Sequence, residues 1–281
     1  MSTPTKVIDE GAESTVTLTK LDDGTSFVTK TRQPQGRTQY TFEAFCYTSV
    51  AKLGSRVPTV IDVDENHLTM TAFAGETIDD QLDLYNNQEI FDGIAKDLSL
   101  NAKVVFDGYG TPIFDGSTYT GKYKTWLEFL AATYNKLQNS QLYSNQQKHT
   151  LMLKWNEMVV DIKLVQGALV HGDFALSAIF VNNNKYEGII DYGDAFIGDP
   201  LTDLAYFRFK EITKDYGYGI YDMLSDSYSK YTNIEREYID KATMFYMMYW
   251  AIERVHTDNL ESEIIEKFLE KTQVLIEQLL T

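Results

Sequence analysis

The segment that most constrains the fold of this chain is residues 169–200, LVHGDFALSAIFVNNNKYEGIIDYGDAFIGDP. Two short apolar runs in it, AIFV and EGII, are joined by NNNKY, and asparagine tolerates left-handed turn geometry. The segment therefore predicts a β-hairpin. In an antiparallel hairpin, the residues that enter the first strand and those that leave the second lie at the same end. We therefore expect Asp173, before the hairpin, to lie close to Asp191, after it.

Four aspartates of this segment, Asp173, Asp191, Asp194 and Asp199, accompany runs that ought to be buried. An ionised carboxylate that leaves water is costly unless a cation or good hydrogen-bond donors meet it. Two converging carboxylates also repel each other unless a divalent cation or a metal-bound polyphosphate lies between them. A site for magnesium and phosphate follows as a hypothesis.

The charge balance of the 281-residue chain excludes some classes of partner. It has 41 acidic and 25 basic residues, a net charge of −16. This argues against nucleic acid or an anionic membrane as a partner and is compatible with a cationic ligand. The single cysteine, Cys46, excludes an internal disulfide and predicts a buried thiol. With no secretory leader and no run of 18 apolar residues, we expect a cytoplasmic protein.

The pattern along the chain changes from β to α. Runs rich in β-branched residues predict strands at 14–21 and 26–32, and two more short strands within 55–73. Helical spacing predicts helices at 39–53, 88–104, 124–138, 146–164, 233–258 and 261–280. A glycine-rich stretch at 104–123 is predicted to be a loop. We expect a β-rich N-lobe at 1–75, ending near Gly75, and a larger, mostly helical C-lobe at 76–281.

The chain contains, in this order, the motif HGD, an apolar hairpin and the segment IIDYGDAFIGDPLTDLA. In this respect it resembles the aminoglycoside phosphotransferase and choline kinase-like family, which has the two-lobed protein kinase-like fold, of the α+β class. The N-terminal order is also similar to that family. GAES, which ends at Ser14, stands where the nucleotide loop would be, and MTAFAGE stands where a hinge would be.

The resemblance implies a role for each matching residue. Asp173 would accept the proton of the substrate hydroxyl or orient that hydroxyl, and His171 would support the loop that carries it. Asp191 would bind magnesium. Lys30, paired with Glu43, would contact the nucleotide phosphates.

Further positions follow from the same resemblance or from their place in the motif. Backbone groups at the hinge, from Thr71 to Phe73, would contact the purine edge of the nucleotide. Asp199 is expected to cap the helix that begins after it, and both Asp199 and Asp203 to brace the catalytic loop.

Three acidic residues are candidates for binding a cationic substrate. Asp194 lies close to Asp191 in sequence, whereas Glu253 and Asp258 lie beyond an aromatic cluster of the C-terminal part. Their role depends on whether they border the cleft.

One position departs from the family pattern. Ala178 stands where the family has an asparagine that serves as a second metal ligand. Alanine cannot coordinate a metal. The neighbouring Ser177 substitutes only if the backbone is irregular there, because adjacent strand residues point to opposite faces; otherwise a water would complete the metal shell.

The expected function is transfer of the γ-phosphate of ATP or GTP, with Mg²⁺, to a hydroxyl of a small molecule. An aminoglycoside or related amino sugar, as in antibiotic resistance, is the leading substrate, and choline or another metabolite is an alternative. A nucleotide-binding or regulatory relative with impaired catalysis is the second hypothesis. A metal-dependent phosphate hydrolase is the third, and it would not need Lys30.

Overall fold

The chain is described by a computed structural model that covers residues 5–11, 13–81, 84–163, 165–213, 219–256 and 262–280. It forms two compact units. The first contains the residues up to Val104 together with His171–Ala195, and the second contains Val105–Val170 and Phe196–Thr281. The expected order, a β-rich N-terminal region followed by a mostly helical C-terminal region, is confirmed.

The first unit is built on a five-stranded antiparallel sheet of order β1-β2-β3-β5-β4. The strands are β1 (Thr5–Glu10), β2 (Ser14–Lys20), β3 (Ser26–Arg32), β4 (Val60–Val63) and β5 (His67–Thr71). The four predicted strands are β2 to β5. Strand β1 was not predicted, because its side chains are all exposed and leave no alternating apolar signal.

Helix α1 (Tyr40–Lys52) packs against β4 and β5 of this sheet. Its buried face includes Tyr40, Glu43, Tyr47 and Val50, at the spacing of one helical stripe. The predicted helix is therefore confirmed, and Cys46 is buried within it as expected.

A second, three-stranded sheet of the first unit contains the hairpin. Its strands are β6 (Glu76–Thr77), β10 (Ile179–Asn182) and β11 (Lys185–Ile189), in the order β11-β10-β6. The turn is formed by Asn183 and Asn184, with φ angles of 51° and 59°, which asparagine adopts more readily than most residues. The hairpin is thus confirmed.

The two units do not coincide with the predicted lobes, 1–75 and 76–281. The first unit continues past Gly75 because β6 pairs with β10, and because α2 (Gln88–Asn101) packs on β11. The boundary at Gly75 stays a prediction.

The second unit contains a four-stranded sheet of order β8-β7-β12-β9 and a set of helices. The strands are β7 (Tyr109–Phe114), β8 (Tyr119–Tyr123), β9 (Ala168–Val170) and β12 (Phe196–Gly198). The predicted loop at 104–123 was wrong: it contains the β7–β8 hairpin. Glycines such as Gly121 let the strands approach closely, since a Cβ there would lie 2.0 Å from the Tyr109 nitrogen.

The helices of the second unit agree with most of the predicted ones. They are α3 (Trp126–Asn139), α4 (Asn145–Met158), α5 (Leu201–Ile212), α6 (Ile220–Thr232), α7 (Arg236–Val255) and α8 (Ser262–Leu280). Helix α6 was missed because serine, aspartate and tyrosine interrupt its apolar stripe. Within the described residues, no helix has both the length and the apolar character needed to cross a membrane.

Asp199 is a buried carboxylate of the second unit. One of its oxygens accepts the N–H of Leu201, the first residue of α5, at 3.0 Å, and the other accepts the Tyr246 hydroxyl at 2.8 Å. Burial raises the pKa of Asp199 from 3.8 to about 6, although both hydrogen bonds act in the opposite direction.

This raised pKa predicts a pH dependence of stability. Between about pH 4 and pH 6 the folded chain binds the Asp199 proton more tightly than the unfolded chain, so its contribution to the unfolding free energy falls as the pH rises, by up to about 3 kcal/mol. Asp199→Asn keeps an acceptor but cannot titrate. We expect the variant to lose less stability than the wild type between pH 4.5 and pH 6.5 in urea unfolding. An equal loss in both proteins would contradict the assignment.

Candidate active site

A largely buried lysine forms ion pairs with two carboxylates in the first unit. The Lys30 Nζ, from the middle strand of the large sheet, lies 2.7 Å from the Glu43 Oε1 of α1 and 2.6 Å from the Asp191 Oδ1. The Lys30 side chain is 11% exposed and that of Glu43 is 1% exposed. Desolvation disfavours the ammonium, but Glu43 and Asp191 outweigh it and raise the pKa of Lys30 well above its ordinary value. The lysine is therefore a fixed positive charge.

A polar cavity of about 220 Å³ borders Lys30 and Asp191. It is lined by Asp9, Gly11, Glu13, Ser14, Val16, Lys30, Thr38, Asp173, Asp191, Gly193 and Asp194. The cavity thus brings together the predicted residues Ser14, Lys30, Asp173, Asp191 and Asp194. Of the described residues that line it, Lys30 alone carries a positive charge, against five carboxylates.

An apolar cavity of about 360 Å³ shares Lys30 and Asp191 with the polar one. Its walls include Val28, Met70, Phe73, Phe180 and Ile190. Most of its exposed lining is carbon, as is typical of a site that binds an aromatic or aliphatic group.

The predicted hinge lines this apolar cavity. The Thr71 N–H donates to the Thr59 carbonyl at 2.9 Å, and the Ala72 N–H donates to the Ser26 carbonyl at 3.0 Å. The Phe73 N–H, in contrast, has no hydrogen-bond acceptor among the described residues. This N–H is an unpaired backbone donor at the cavity wall, where an acceptor atom of a ligand could receive its hydrogen bond.

Asp191 adopts an unusual backbone conformation. Its φ of 70° and ψ of 64° are left-handed, which costs a residue other than glycine about 1–3 kcal/mol. The conformation is stabilised by α1, because the Asp191 N–H donates to the Tyr47 hydroxyl at 2.7 Å. Tyr47 lies one helical turn after Glu43, so one helix positions both the partner of Lys30 and the backbone of Asp191.

His171 links the loop that contains Asp173 to Ile190, the residue before Asp191. It is fully buried, and burial lowers its pKa, so the ring is neutral at pH 7. Its Nε2 lies 2.8 Å from the Ile190 carbonyl, and its Nδ1 accepts the Asp173 N–H at 3.4 Å. This geometry is compatible with the loop support expected from the sequence.

Tyr192 packs beside His171 and Tyr47 and completes this support. Its ring centroid lies 4.6 Å from that of His171 and 5.3 Å from that of Tyr47. Its hydroxyl donates to Asn101 of α2 at 3.0 Å. Sequence reasoning missed Tyr47, Tyr192 and Asn101; for Tyr47 the signal was its spacing of four residues from Glu43.

The backbone is irregular at the position that departs from the family pattern. Residues Leu176–Ala178 form a single 3₁₀ turn between Asp173 and β10. Ala178 is buried, whereas Ser177 is exposed and lines the apolar cavity together with Asp191. The irregular backbone that a ligand role of Ser177 requires is therefore present, and that role stays a prediction.

The other predicted residues lie in the second unit. Glu253 is already paired there, with the Lys136 Nζ at 2.6 Å and the Thr133 hydroxyl at 2.5 Å, so a cationic substrate would have to compete with a lysine. Asp203 is fully buried in α5. Asp258 lies outside the described residues. The substrate role of Glu253 and the bracing role of Asp203 stay predictions.

The chain matches a known family of enzymes. The model of the phosphotransferase enzyme family, APH, matches residues 4–238. The chain belongs to this family. The family membership that the sequence predicted is therefore confirmed. No curated protein sequence is similar enough to count as a relative.

Solved structures similar to this phosphotransferase-family chain confirm the protein kinase-like fold. A thermostable mutant of aminoglycoside phosphotransferase APH(4)-Ia, in a ternary complex with AMP-PNP and hygromycin B, is 16% identical with a TM-score of 0.75 over 97% of this chain and 93% of its own. A putative fructosamine-3-kinase from Thermobifida fusca is 14% identical, with a TM-score of 0.69 over 98% and 93%. ADP-bound APH(2'')-Ib is 17% identical, with a TM-score of 0.64 over 98% and 94%.

The hydrogen bond between Tyr47 and Asp191 predicts a stability effect. Tyr47→Phe leaves a partly buried N–H without its acceptor in a strained turn, so we expect the free energy of unfolding to fall by about 1–3 kcal/mol. Tyr40→Phe is the matched control, because the Tyr40 hydroxyl is buried on the same helix without a hydrogen-bond partner. Denaturant unfolding measures both; equal losses would show that this hydrogen bond contributes nothing specific.

Proposed function

We propose that this protein transfers the γ-phosphate of ATP or GTP to a hydroxyl of a small molecule. The observation that carries the proposal is the ion pair of Lys30 with Glu43 and Asp191, in the wall of a cavity that also contains Asp173. Phosphoryl transfer asks mainly for positioned reactants and charge stabilisation, and these residues supply both.

The apolar cavity is the proposed site for the purine of the nucleotide. Its volume of about 360 Å³ is within the range for small-molecule pockets. The Phe73 N–H would donate to an acceptor on the base, and the carbonyl of Thr71 lies on the same hinge segment. Both adenine and guanine offer ring acceptors, so ATP and GTP stay equal candidates.

The polar cavity is the proposed site for the phosphates. Lys30 would contact them as a point charge held in place by Glu43. Ser14, at the start of β2, would provide a hydroxyl on the nucleotide loop. Ala12 of that loop lies outside the described residues.

Magnesium fits the oxygen donors of Asp191, which lines both cavities, and of Ser177, which lines the apolar cavity. No set of three or more histidine, cysteine, aspartate and glutamate side chains within the described residues could hold a metal alone. Mg²⁺ commonly uses one or two carboxylates, phosphate oxygens and waters. We therefore assign Asp191 and the Ser177 hydroxyl to it. Bound there, Mg²⁺ would neutralise phosphate charge.

Asp173 is the proposed catalytic residue. It borders the polar cavity, and His171 holds its backbone. Its carboxylate would accept the proton of the substrate hydroxyl or orient that hydroxyl towards the phosphate. A positioned general base typically contributes 10²- to 10⁴-fold in rate.

An aminoglycoside or related amino sugar is the proposed substrate. The net charge of −16 and the carboxylates of the polar cavity, Asp194 among them, favour a cationic molecule. The similarity to structures with hygromycin B and to a putative fructosamine kinase supports an amino sugar or sugar derivative over choline. With an intracellular nucleotide as co-substrate, we place the reaction in the cytoplasm.

One observation favours a second function, that of a nucleotide-binding regulatory relative. Ala178 is buried and offers no ligand, and Ser177 is a weaker ligand than an amide or carboxylate oxygen. A metal site weakened in this way would bind nucleotide but transfer phosphate slowly.

The proposal predicts substrate-dependent turnover that needs Asp173. We expect magnesium-dependent transfer of phosphate from ATP or GTP to at least one member of a panel of aminoglycosides, amino sugars, simple sugars and choline. Asp173→Asn should lower this turnover by about 10²- to 10⁴-fold, with nucleotide binding retained in calorimetry. Asp22→Asn, in the exposed turn between β2 and β3, is the matched control and should leave turnover unchanged.

The outcomes of this assay separate the hypotheses. Nucleotide binding without turnover of any panel member would favour the regulatory relative. Release of phosphate to water that persists in Lys30→Ala would favour a hydrolase. Absence of nucleotide binding would contradict the proposed function.

The assignment of Ser177 predicts a change in metal affinity. We expect Ser177→Ala to raise the Mn²⁺ concentration needed to bind the protein–nucleotide complex by about 3- to 10-fold, because one neutral oxygen ligand is replaced by water. Electron paramagnetic resonance of bound Mn²⁺ measures this independently of activity. Ser26→Ala, which lines neither cavity, is the control. Equal Mn²⁺ affinity in the two variants would exclude Ser177 as a ligand.

A further inference from the structure

Strand β1 contains a bulge next to both cavities. Val7 pairs with Thr17 and Asp9 with Val16, so Ile8 is an extra residue without a partner on β2. In a regular strand, neighbouring side chains point to opposite faces. Because the bulge interrupts this alternation, the consecutive residues Ile8 and Asp9 both line the apolar cavity.

Asp9 lies where the two cavities meet. The residues that line both of them are Asp9, Val16, Lys30 and Asp191. Lys30 and Asp191 are paired with each other, and Val16 is apolar. The Asp9 carboxylate, in contrast, has no hydrogen bond or ion pair with any described residue.

This position corresponds to one part of a nucleoside triphosphate. The base and the phosphates are joined through the ribose, so a nucleotide with its base in the apolar cavity and its phosphates in the polar one has its ribose at the boundary. A carboxylate there repels phosphate but accepts hydrogen bonds from neutral hydroxyl groups. Ribose offers two of them on adjacent carbons.

We propose that Asp9 binds the 2′- and 3′-hydroxyls of the nucleotide ribose and selects ribonucleotides over deoxyribonucleotides. This inference rests on the proposed function, since it takes the two cavities as the nucleotide site. The bulge at Ile8 is what turns the carboxylate towards the sugar. Asp9 is a binding residue and takes no part in the chemical step.

Calorimetry with three nucleotides tests the proposal. Wild-type protein with Mg²⁺ is titrated with ATP, 2′-deoxy-ATP and 3′-deoxy-ATP, or with the guanine analogues if GTP binds more tightly. A hydrogen bond to a charged acceptor is stronger than one between neutral groups, so removal of one hydroxyl should weaken binding by about tenfold or more. In Asp9→Ala this discrimination should fall to less than about twofold.

Two further variants keep the test specific. Glu10→Ala removes the next carboxylate of β1, which lines neither cavity, and should keep the wild-type discrimination. Asp9→Asn keeps the shape of the side chain and an acceptor, and should retain part of it. Circular dichroism of all variants reports whether they are folded, as expected for exposed positions.

Each outcome bears on one claim. Deoxynucleotide discrimination that survives in Asp9→Ala would overturn the inference while the proposed function stands. Equally tighter binding of all three nucleotides by Asp9→Ala would also overturn it, because Asp9 would then act only by repelling phosphate. If the wild type binds no purine nucleotide, the proposed function fails, and the inference fails with it.

Discussion

The arrangement of the first unit depends on the positive charge of Lys30. Its ammonium is nearly removed from water and is held between Glu43 and Asp191. Without this charge, the buried Glu43 carboxylate would lie beside the Asp191 carboxylate with no cation to stabilise it, which is costly. The central strand, the first helix and the turn after the hairpin are therefore tied together through one atom, the Lys30 Nζ.

The turn at Asp191 shows how the surrounding structure maintains a strained backbone. The left-handed conformation of Asp191 is unfavourable by itself. It persists because Tyr47 accepts the Asp191 N–H, His171 contacts the preceding carbonyl, and Asn101 holds the hydroxyl of Tyr192. These contacts come from separate helices and from the loop that contains Asp173. Strain supported from several sides is typical of a site in which the direction of one side chain matters.

Prediction from sequence succeeded where the signal was local and failed where it was not. The hairpin at 179–189 was predicted because asparagines and apolar runs specify a turn between two strands. The prediction of a loop at 104–123 was wrong because glycines usually interrupt strands in a sequence pattern. Here glycines such as Gly121 instead allow the backbones of the two strands to approach closely. Helix α6 was missed because its buried stripe mixes tyrosines with apolar residues.

The sequence by itself determined the family, the change from a β-rich to a mostly helical region along the chain, and which carboxylates, lysine and histidine are available for chemistry. These depend on residue identity and on spacing along the chain. Only the tertiary structure decided that Asp191 shares the ammonium of Lys30, that Tyr47 holds its backbone, and that a bulge turns Asp9 towards the two cavities. These contacts join residues far apart in sequence or depend on the register between strands, which no local pattern specifies.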